Sequence, residues 1–254
     1  MCKMTDKLIK KSVDEFYTDG AHYWAEVPAT VDGMLGGFGH ISQVDIRGSK
    51  TFIKQLLTSK SPPGRDYALD CGAGIGRITK FLLTNVFNKV DLVEQNPLFL
   101  DQAKKYLGTQ LDLKIGKYYA VGLQNFDPEP CKYDVIWIQW VLGHLTDEDF
   151  IKFFQKCQKG LKDNGYFIVK ENITSNNEIE MDEQDSSVTR PMLLLKELFK
   201  KANLEVFRQE KQTNFPKGIY SVYMFALRPK KSQEIDDLSD TKVLETELKN
   251  NVGT

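Results

Sequence analysis

The sequence lacks long hydrophobic runs, and this absence limits where the protein can work. No stretch of its 254 residues approaches the about 18 uninterrupted apolar residues that span a membrane. Residues 1–24 also lack the apolar core that a secretory signal peptide needs. We therefore expect no membrane among the partners of this protein.

A surplus of one charge sign is absent as well. The chain has 34 Lys and Arg residues against 35 Asp and Glu residues, which gives a net charge of −1. Nucleic-acid binding depends on a basic surface, so we expect no direct contact with nucleic acid.

Cysteine and histidine are scarce, and neither is spaced as a set of metal ligands. The four cysteines include no Cys-x-x-Cys pair, which favours reduced thiols in an intracellular protein. The three histidines lie far apart in sequence, so we expect no metal site.

Strand-like and helix-like segments alternate along the chain, which predicts an α/β fold whose parallel sheet has helices on both faces. The predicted strands cover residues 67–71, 89–94, 115–120, 133–139, 166–171, 204–209 and 220–227. Helices are predicted over residues 75–83, 97–107 and 192–202, and another begins at Thr146. We expect residues 1–65 to form an N-terminal helical cap with a substrate-gating loop, residues 66–228 the core, and residues 229–254 a disordered polar tail.

The most informative segment is the glycine-rich turn between the first predicted strand and its helix. Asp70 ends the strand, and Gly72, Gly74 and Gly76 follow before Arg77. Such a turn lets a ligand approach bare backbone, and the N–H groups of the next helix face that ligand. The third glycine comes one position too early for the dinucleotide fingerprint G-x-G-x-x-G. The spacing resembles instead the first motif of class I methyltransferases that use S-adenosylmethionine (SAM), and an NAD enzyme stays a weaker alternative.

Polar residues at the ends of other predicted strands support a nucleoside ligand. Glu94 ends the second strand, where its carboxylate could accept both hydroxyls of a ribose. Gln139 and Trp140 end the fourth strand, and His144 follows in the loop. Ligands of open α/β sheets bind beyond the carboxyl ends of the strands. Simple packing of Trp140, and a His144 satisfied by a nearby carbonyl, remain the structural alternatives.

An acidic segment follows the fifth predicted strand. We interpret residues 174–180 as a small hairpin lid and the acidic residues 181–190 as a wall that overhangs the pocket and favours a cationic substrate. The chain lacks the Asn/Asp-Pro-Pro-aromatic motif of adenine-N6 methyltransferases. Pro130-Cys131 precedes the fourth strand, whereas cytosine-C5 enzymes need a Pro-Cys after it.

These segments resemble the eukaryotic protein α-N-terminal methyltransferases, which use SAM to modify proteins that begin X-Pro-Lys/Arg. The resemblance covers about residues 14–228, and its most specific parts are Asp-Gly-Met-Leu-Gly-Gly at 32–37 and Trp-Ile-Gln-Trp at 137–140. It implies a seven-stranded, mostly parallel, Rossmann-like sheet with an antiparallel pair of strands at one edge. It also implies a monomer in nucleus and cytoplasm that acts on N-terminal protein tails.

The resemblance also assigns roles to individual residues. The residues that would hold SAM are Trp24, Gly72, Arg77, Glu94, Leu123, Gln124 and Gln139. The residues that would hold the peptide are Leu35, Gly36, Ile41, Trp140, Asn172, Asp182, Asp185, Ser187 and Tyr220. Among the SAM residues, Arg77 would pair with the methionine carboxylate. Among the peptide residues, Asp182 and Ser187 would receive the basic side chain, and Asn172 would contact the amine.

Asp185 and His144 are the candidates for the general base, because an α-amino group is mostly protonated near neutral pH. Two alternatives stay open. One is a SAM enzyme for another amine or protein site, and the other is a catalytically silent binder of basic protein tails.

Overall fold

The central sheet follows the alternating pattern of the sequence. The computed structural model describes residues 11–230, and within them seven strands form one sheet in the order β3-β2-β1-β4-β5-β9-β8. The strands of this sheet are β1 (Tyr67–Cys71), β2 (Lys89–Glu94), β3 (Ile115–Ala120), β4 (Tyr133–Gln139), β5 (Leu161–Ile173), β8 (Leu204–Lys211) and β9 (Ser221–Pro229). Strands β1 to β5 pair in parallel, whereas β9 pairs antiparallel with both β5 and β8. The predicted mostly parallel sheet with an antiparallel edge is confirmed.

Helices cover both faces of this sheet. One face packs against α6 (Asp147–Gly160) and α7 (Met192–Lys201), and it buries the aromatic stripe of Phe150, Phe153 and Phe154. The other face packs against α3 (Ser42–Leu57), α4 (Arg77–Phe81) and α5 (Pro97–Asp112). The carboxyl ends of β1, β2, β4 and β5 therefore meet at one edge of a well-covered sheet, where a ligand can bind.

The N-terminal segment supplies two further helices before α3. These are α1 (Val13–Glu26), which begins with a capping box between Ser12 and Glu15, and the short α2 (Val31–Met34). Helix α3 buries Phe52, Ile53 and Leu56 against the sheet. No helix among the described residues has both the length and the apolar character to cross a bilayer.

Two elements start two or more residues away from the predicted position, and several others end at different residues than predicted. Helix α4 begins at Arg77 rather than at residue 75, because Gly76 has φ of +78°, a left-handed conformation that cannot belong to the helix. Strand β5 begins at Leu161, five residues before the predicted start at 166.

The predicted hairpin lid over residues 174–180 is also misplaced. Side chains close those residues into a turn, because Thr174 Oγ1 donates to the Glu178 carbonyl and Asn176 Oδ1 accepts from Glu178 N. The hairpin lies further along, in the acidic segment, where β6 (Glu180–Asp182) pairs antiparallel with β7 (Ser187–Thr189). The predicted disordered tail lies outside the described residues, apart from positions 229 and 230.

Candidate active site

The first cavity of the site lies over the glycine-rich turn that follows β1. Gly72 and Gly74 line it, and both have left-handed backbone, with φ of +67° and +53°, which favours glycine. A Cβ on Gly72 would lie 2.6 Å from Val141 Cγ2, and one on Gly74 would lie 2.6 Å from Met34 Sδ. The turn therefore presents bare backbone to the cavity, as the sequence predicted.

Glu94 at the end of β2 stabilises this turn. Its Oε2 accepts from Gly74 N at 3.0 Å, and its Oε1 accepts from Asn96 N at 2.9 Å. Each oxygen keeps a lone pair beyond these bonds, and Glu94 lines the first cavity. Burial raises the pKa of Glu94, and the two backbone donors oppose that rise.

Asp70 ties the same turn to α4. Its buried carboxylate accepts from both the backbone N and the hydroxyl of Thr79, at 3.1 and 2.6 Å. Burial raises the pKa of Asp70 to about 6. Asp70 thus fixes the turn to α4 through Thr79, while Glu94 fixes it by accepting from Gly74 N.

Arg77 and Gln139 line the first cavity, and both are anchored on Asp45 of α3. Arg77 Nη1 donates to Asp45 Oδ2 at 2.7 Å, and Gln139 Nε2 donates to Asp45 Oδ1 at 3.0 Å. Lys170 of β5 completes the group, with its Nζ 2.6 Å from Asp45 Oδ1. The remaining residues predicted to hold the cofactor, Trp24, Leu123 and Gln124, line the same cavity.

Four residues line both the first cavity and a second, larger one. They are Trp24, Met34, Trp140 and His144. Trp140 has φ of +54°, an uncommon conformation for an aromatic residue, which indicates strain that its neighbours must hold. They do so because Trp140 N donates to the Lys170 carbonyl and the Glu171 carboxylate accepts from the two backbone N–H groups that follow, those of Val141 and Leu142.

His144 is held at this junction in one orientation. Trp24 Nε1 donates to His144 Nε2 at 3.1 Å, so a neutral ring carries its proton on Nδ1. Burial lowers the pKa of His144, although the negative charge of Asp185 opposes that change. Within residues 11–230, His144 Nδ1, Asp185 Oδ1 and Trp140 Nε1 are buried atoms without a hydrogen-bond partner. Unpaired buried polar atoms beside a cavity indicate a polar ligand.

The second cavity has a volume of about 800 Å³ and an acidic lining. Glu171, Glu180 and Asp185 line it, and the Arg190 side chain of the lining is bound to Asp147 and to two carbonyls. Most of the residues predicted to hold a peptide also line it: Leu35, Gly36, Ile41, Trp140, Asn172, Asp185, Ser187 and Tyr220. A cavity with this charge attracts a cationic ligand.

Asp182 is the exception among the predicted peptide residues. It is exposed and lies outside the lining, because its Oδ1 accepts from Gln184 N at 2.8 Å and from Asp185 N at 3.4 Å in the hairpin turn. Glu180, two positions earlier, lines the cavity instead and accepts a hydrogen bond from the Tyr220 hydroxyl.

Several residues of the site were not predicted from the sequence, namely Asp45, Lys170, Glu171, Glu180 and Met34. Lys170 and Glu171 carried a weak signal, since they are charged residues at the end of a predicted buried strand. No sequence signal pointed to Asp45, because an acidic residue in the first turn of a helix is usually a surface residue. Among the described residues, no group of three or more His, Cys, Asp or Glu side chains could hold a metal ion.

Comparisons with known proteins identify the family of this chain. The model of the AdoMet dependent proline di-methyltransferase family matches residues 12–228. The N-terminal Xaa-Pro-Lys N-methyltransferase 1-B of Xenopus laevis is 50% identical over 226 residues, which are 89% of this chain and 100% of that protein. The Alpha N-terminal protein methyltransferase 1 of Drosophila melanogaster is 48% identical over 217 residues, which are 85% of this chain and 77% of that protein.

A solved structure supports the same relationship. A SAM-dependent methyltransferase from Leishmania major superposes with a TM-score of 0.80 at 38% identity, covering 88% of this chain and 89% of the other. The predicted methyltransferase fold is therefore confirmed. The chain belongs to the AdoMet dependent proline di-methyltransferase family.

Proposed function

We propose that this protein transfers methyl groups from SAM to the free α-amino group of proteins that begin X-Pro-Lys or X-Pro-Arg after removal of the initiator Met. The observation that carries the proposal is the junction of the two cavities at Trp24, Met34, Trp140 and His144. A glycine turn with a strand-end glutamate lies on one side, and an acidic cavity lies on the other. A donor and a cationic acceptor can therefore meet at this junction.

We assign the first cavity to SAM, because its lining includes a glycine turn, the Glu94 carboxylate and the Arg77 guanidinium. Bound there, SAM supplies an electrophilic methyl group on a sulfonium. Glu94 would accept the ribose hydroxyls, and Arg77 would form a charge-assisted hydrogen bond with the methionine carboxylate. The Gln139 amide already bonds to Asp45 and to Trp137, so we infer that it shapes the cavity wall beside the ligand. Trp24, Gly72, Leu123 and Gln124 would enclose the rest.

The second cavity suits an N-terminal peptide. Leu35, Ile41 and the Trp140 ring supply apolar surface for the proline at position two. Acidic residues of the lining would receive the basic side chain at position three, together with Ser187. Tyr220 would contact the peptide backbone, and the small Gly36 leaves space beside the amine. The names of the Xenopus laevis and Drosophila melanogaster relatives, which state N-terminal methylation, support this assignment.

Asp185 is the residue best placed to take the proton of the amine. An α-amino group has a pKa of about 7.7–8.0, so it must lose a proton before it can attack. Asp185 Oδ1 has no hydrogen-bond partner, whereas His144 Nε2 already accepts from Trp24. We therefore assign Asp185 as the proton acceptor, with His144 as a neutral donor through Nδ1 and Asn172 as a hydrogen-bonding group near the amine. The transfer is then a direct displacement that depends on orientation.

Mass spectrometry of a Ser-Pro-Lys-Arg peptide incubated with the protein and SAM tests the function. An acetyl-blocked copy and a Ser-Ala-Lys-Arg copy are the controls. We expect mass increases of one methyl at a time on the free Ser-Pro-Lys terminus only, and the final number of steps gives the product. Normal SAM binding with no methylation of any peptide would favour a binding protein instead. The monomeric state and the residence in nucleus and cytoplasm stay predictions, which rest on the family resemblance.

A further inference from the structure

Asp45 connects the N-terminal segment to the cofactor cavity. Its side chain is fully buried, with 0% exposure, and lies on α3. It contacts two residues of the first cavity, because Arg77 Nη1 donates to it at 2.7 Å and Gln139 Nε2 donates to both of its oxygens at 3.0 and 3.1 Å. These partners come from α4 and from the end of β4. One carboxylate therefore joins three elements behind the cavity.

The charges around Asp45 do not balance. Arg77 and Lys170 are buried basic side chains, and Asp45 is the carboxylate that faces both of them. Burial lowers the pKa of Lys170, and the negative charge of Asp45 opposes that change. Burial would raise the pKa of Asp45, but these two charges hold that pKa below its ordinary value. Lys170 Nζ is further held by Ser49 Oγ at 3.0 Å and Gln212 Oε1 at 2.8 Å, so it points into the protein. Of the two basic side chains, Arg77 is therefore the one that lines the cavity and can meet an anionic group of a ligand.

We propose that Asp45 is a positioning residue for SAM. By accepting from Arg77 Nη1, Asp45 fixes the guanidinium so that the other N–H groups of Arg77 donate to the methionine carboxylate. The proposal rests on the proposed function, because it assumes that SAM occupies the first cavity. The Trp140 ring supports the same orientation from the other side, since the Arg77 guanidinium carbon lies 5.7 Å from the ring centre. A bidentate or charge-assisted pair requires a guanidinium that is fixed in advance.

The test compares two ligands that differ at the methionine end. S-adenosylhomocysteine carries the carboxylate that Arg77 would hold, and 5′-methylthioadenosine lacks it. Calorimetry of the full chain measures both dissociation constants for the wild type and for Asp45→Asn. We expect Asp45→Asn to weaken S-adenosylhomocysteine at least about tenfold and 5′-methylthioadenosine less than about threefold. Equal weakening of both ligands would mean a general distortion of the cavity and would overturn the proposal.

A charge-balanced variant covers the case in which Asp45→Asn fails to fold with two unpaired buried basic side chains. Asp45→Ala combined with Lys170→Gln restores the net charge of the wild-type cluster and removes the acceptor of the Arg77 Nη1 hydrogen bond. We expect this double variant to show the same selective loss of S-adenosylhomocysteine. Recovery of wild-type binding in the double variant would show that charge balance, and not the Asp45–Arg77 contact, determines affinity.

Asp91→Asn is the matched control. Asp91 is a second fully buried aspartate with a lysine partner, Lys132 at 2.6 Å, and it lies outside both cavity linings. We expect it to lower stability and to leave the ratio of the two dissociation constants unchanged. Wild-type protein that binds neither ligand would refute the proposed function itself, which separates that failure from a failure of the Asp45 proposal.

Discussion

Glu171 offers a quantitative test of how this site is built. Glu171 is 9% exposed as a residue, and its Oε1 accepts from Val141 N and Leu142 N, both at 2.9 Å. These two N–H groups follow Trp140, so the carboxylate fixes the turn on which Trp140 and His144 depend. Burial raises the pKa of Glu171 from 4.5 to about 7, and the backbone donors oppose part of that rise.

The sign and size of the effect on stability follow from that change. Between about pH 4.5 and 7 the folded protein binds the Glu171 proton more tightly than the unfolded chain does. The free energy of unfolding therefore falls as the pH rises through this interval. The pKa difference corresponds to about 3 kcal/mol, which is the full cost of ionising Glu171 in the folded protein.

Glu171→Gln removes this cost but keeps the hydrogen bonds, because the amide oxygen can accept from the same two N–H groups. Relative to the wild type, the variant should gain up to about 3 kcal/mol of unfolding free energy between about pH 4.5 and pH 8. Urea denaturation at both pH values measures the gain, and Glu183→Gln, at an exposed glutamate of the hairpin, is the control. A difference that changes by less than about 0.5 kcal/mol over this range would refute the reasoning, because the carboxyl would then titrate alike in both states.

Three further predictions concern the chemistry. Asp185→Asn should lower kcat far more than it weakens SAM binding, and a kcat within about threefold of the wild type, under about 1 kcal/mol, would exclude Asp185 as the base. Glu94→Ala should weaken SAM about a hundredfold, because two hydrogen bonds to a charged group are worth about 3 kcal/mol together, and an unaltered Kd in calorimetry would contradict the ribose role. Asp182→Lys should raise the KM of X-Pro-Lys peptides by placing a cation beside the cavity, and Glu180→Gln should raise it by removing a charge from the lining. Unchanged peptide KM values in both variants would show that these acidic residues do not recognise the basic side chain of the peptide.

The strands at the centre of the sheet could be predicted closely from the sequence. The observed limits of β1, β2 and β4 are the predicted ones, because each of these strands is a buried, mostly apolar run bounded by turn residues or charges, and the limits of the edge strand β3 also agree. Local backbone geometry explains the errors elsewhere. The left-handed Gly76 delays α4, and side-chain bonds from Thr174 and Asn176 close a turn where a hairpin was predicted.

The ligand-facing residues could be predicted to the extent that they follow strands. Glu94, Gln139 and Trp140 lie at the carboxyl ends of β2 and β4, which parallel pairing brings to one edge. Asp45 could not be found in this way, since its partners Arg77 and Lys170 lie 32 and 125 residues away in sequence. Its burial depends on how α3 packs on the sheet, and no local pattern encodes that contact.

The acidic hairpin shows where the sequence determines a charge without determining its location. A run of acids between β5 and α7 predicts a negative wall, and the second cavity has one. Backbone N–H groups compete with a ligand for each acidic side chain, and this competition determines which acid faces the cavity. A short aspartate side chain readily binds the N–H groups two and three residues ahead. Asp182 forms that turn, whereas the longer Glu180 side chain reaches Tyr220 across the cavity. Recognition of a basic peptide residue should therefore depend on Glu180 at least as much as on Asp182. The changes in peptide KM in Glu180→Gln and Asp182→Lys compare the two contributions.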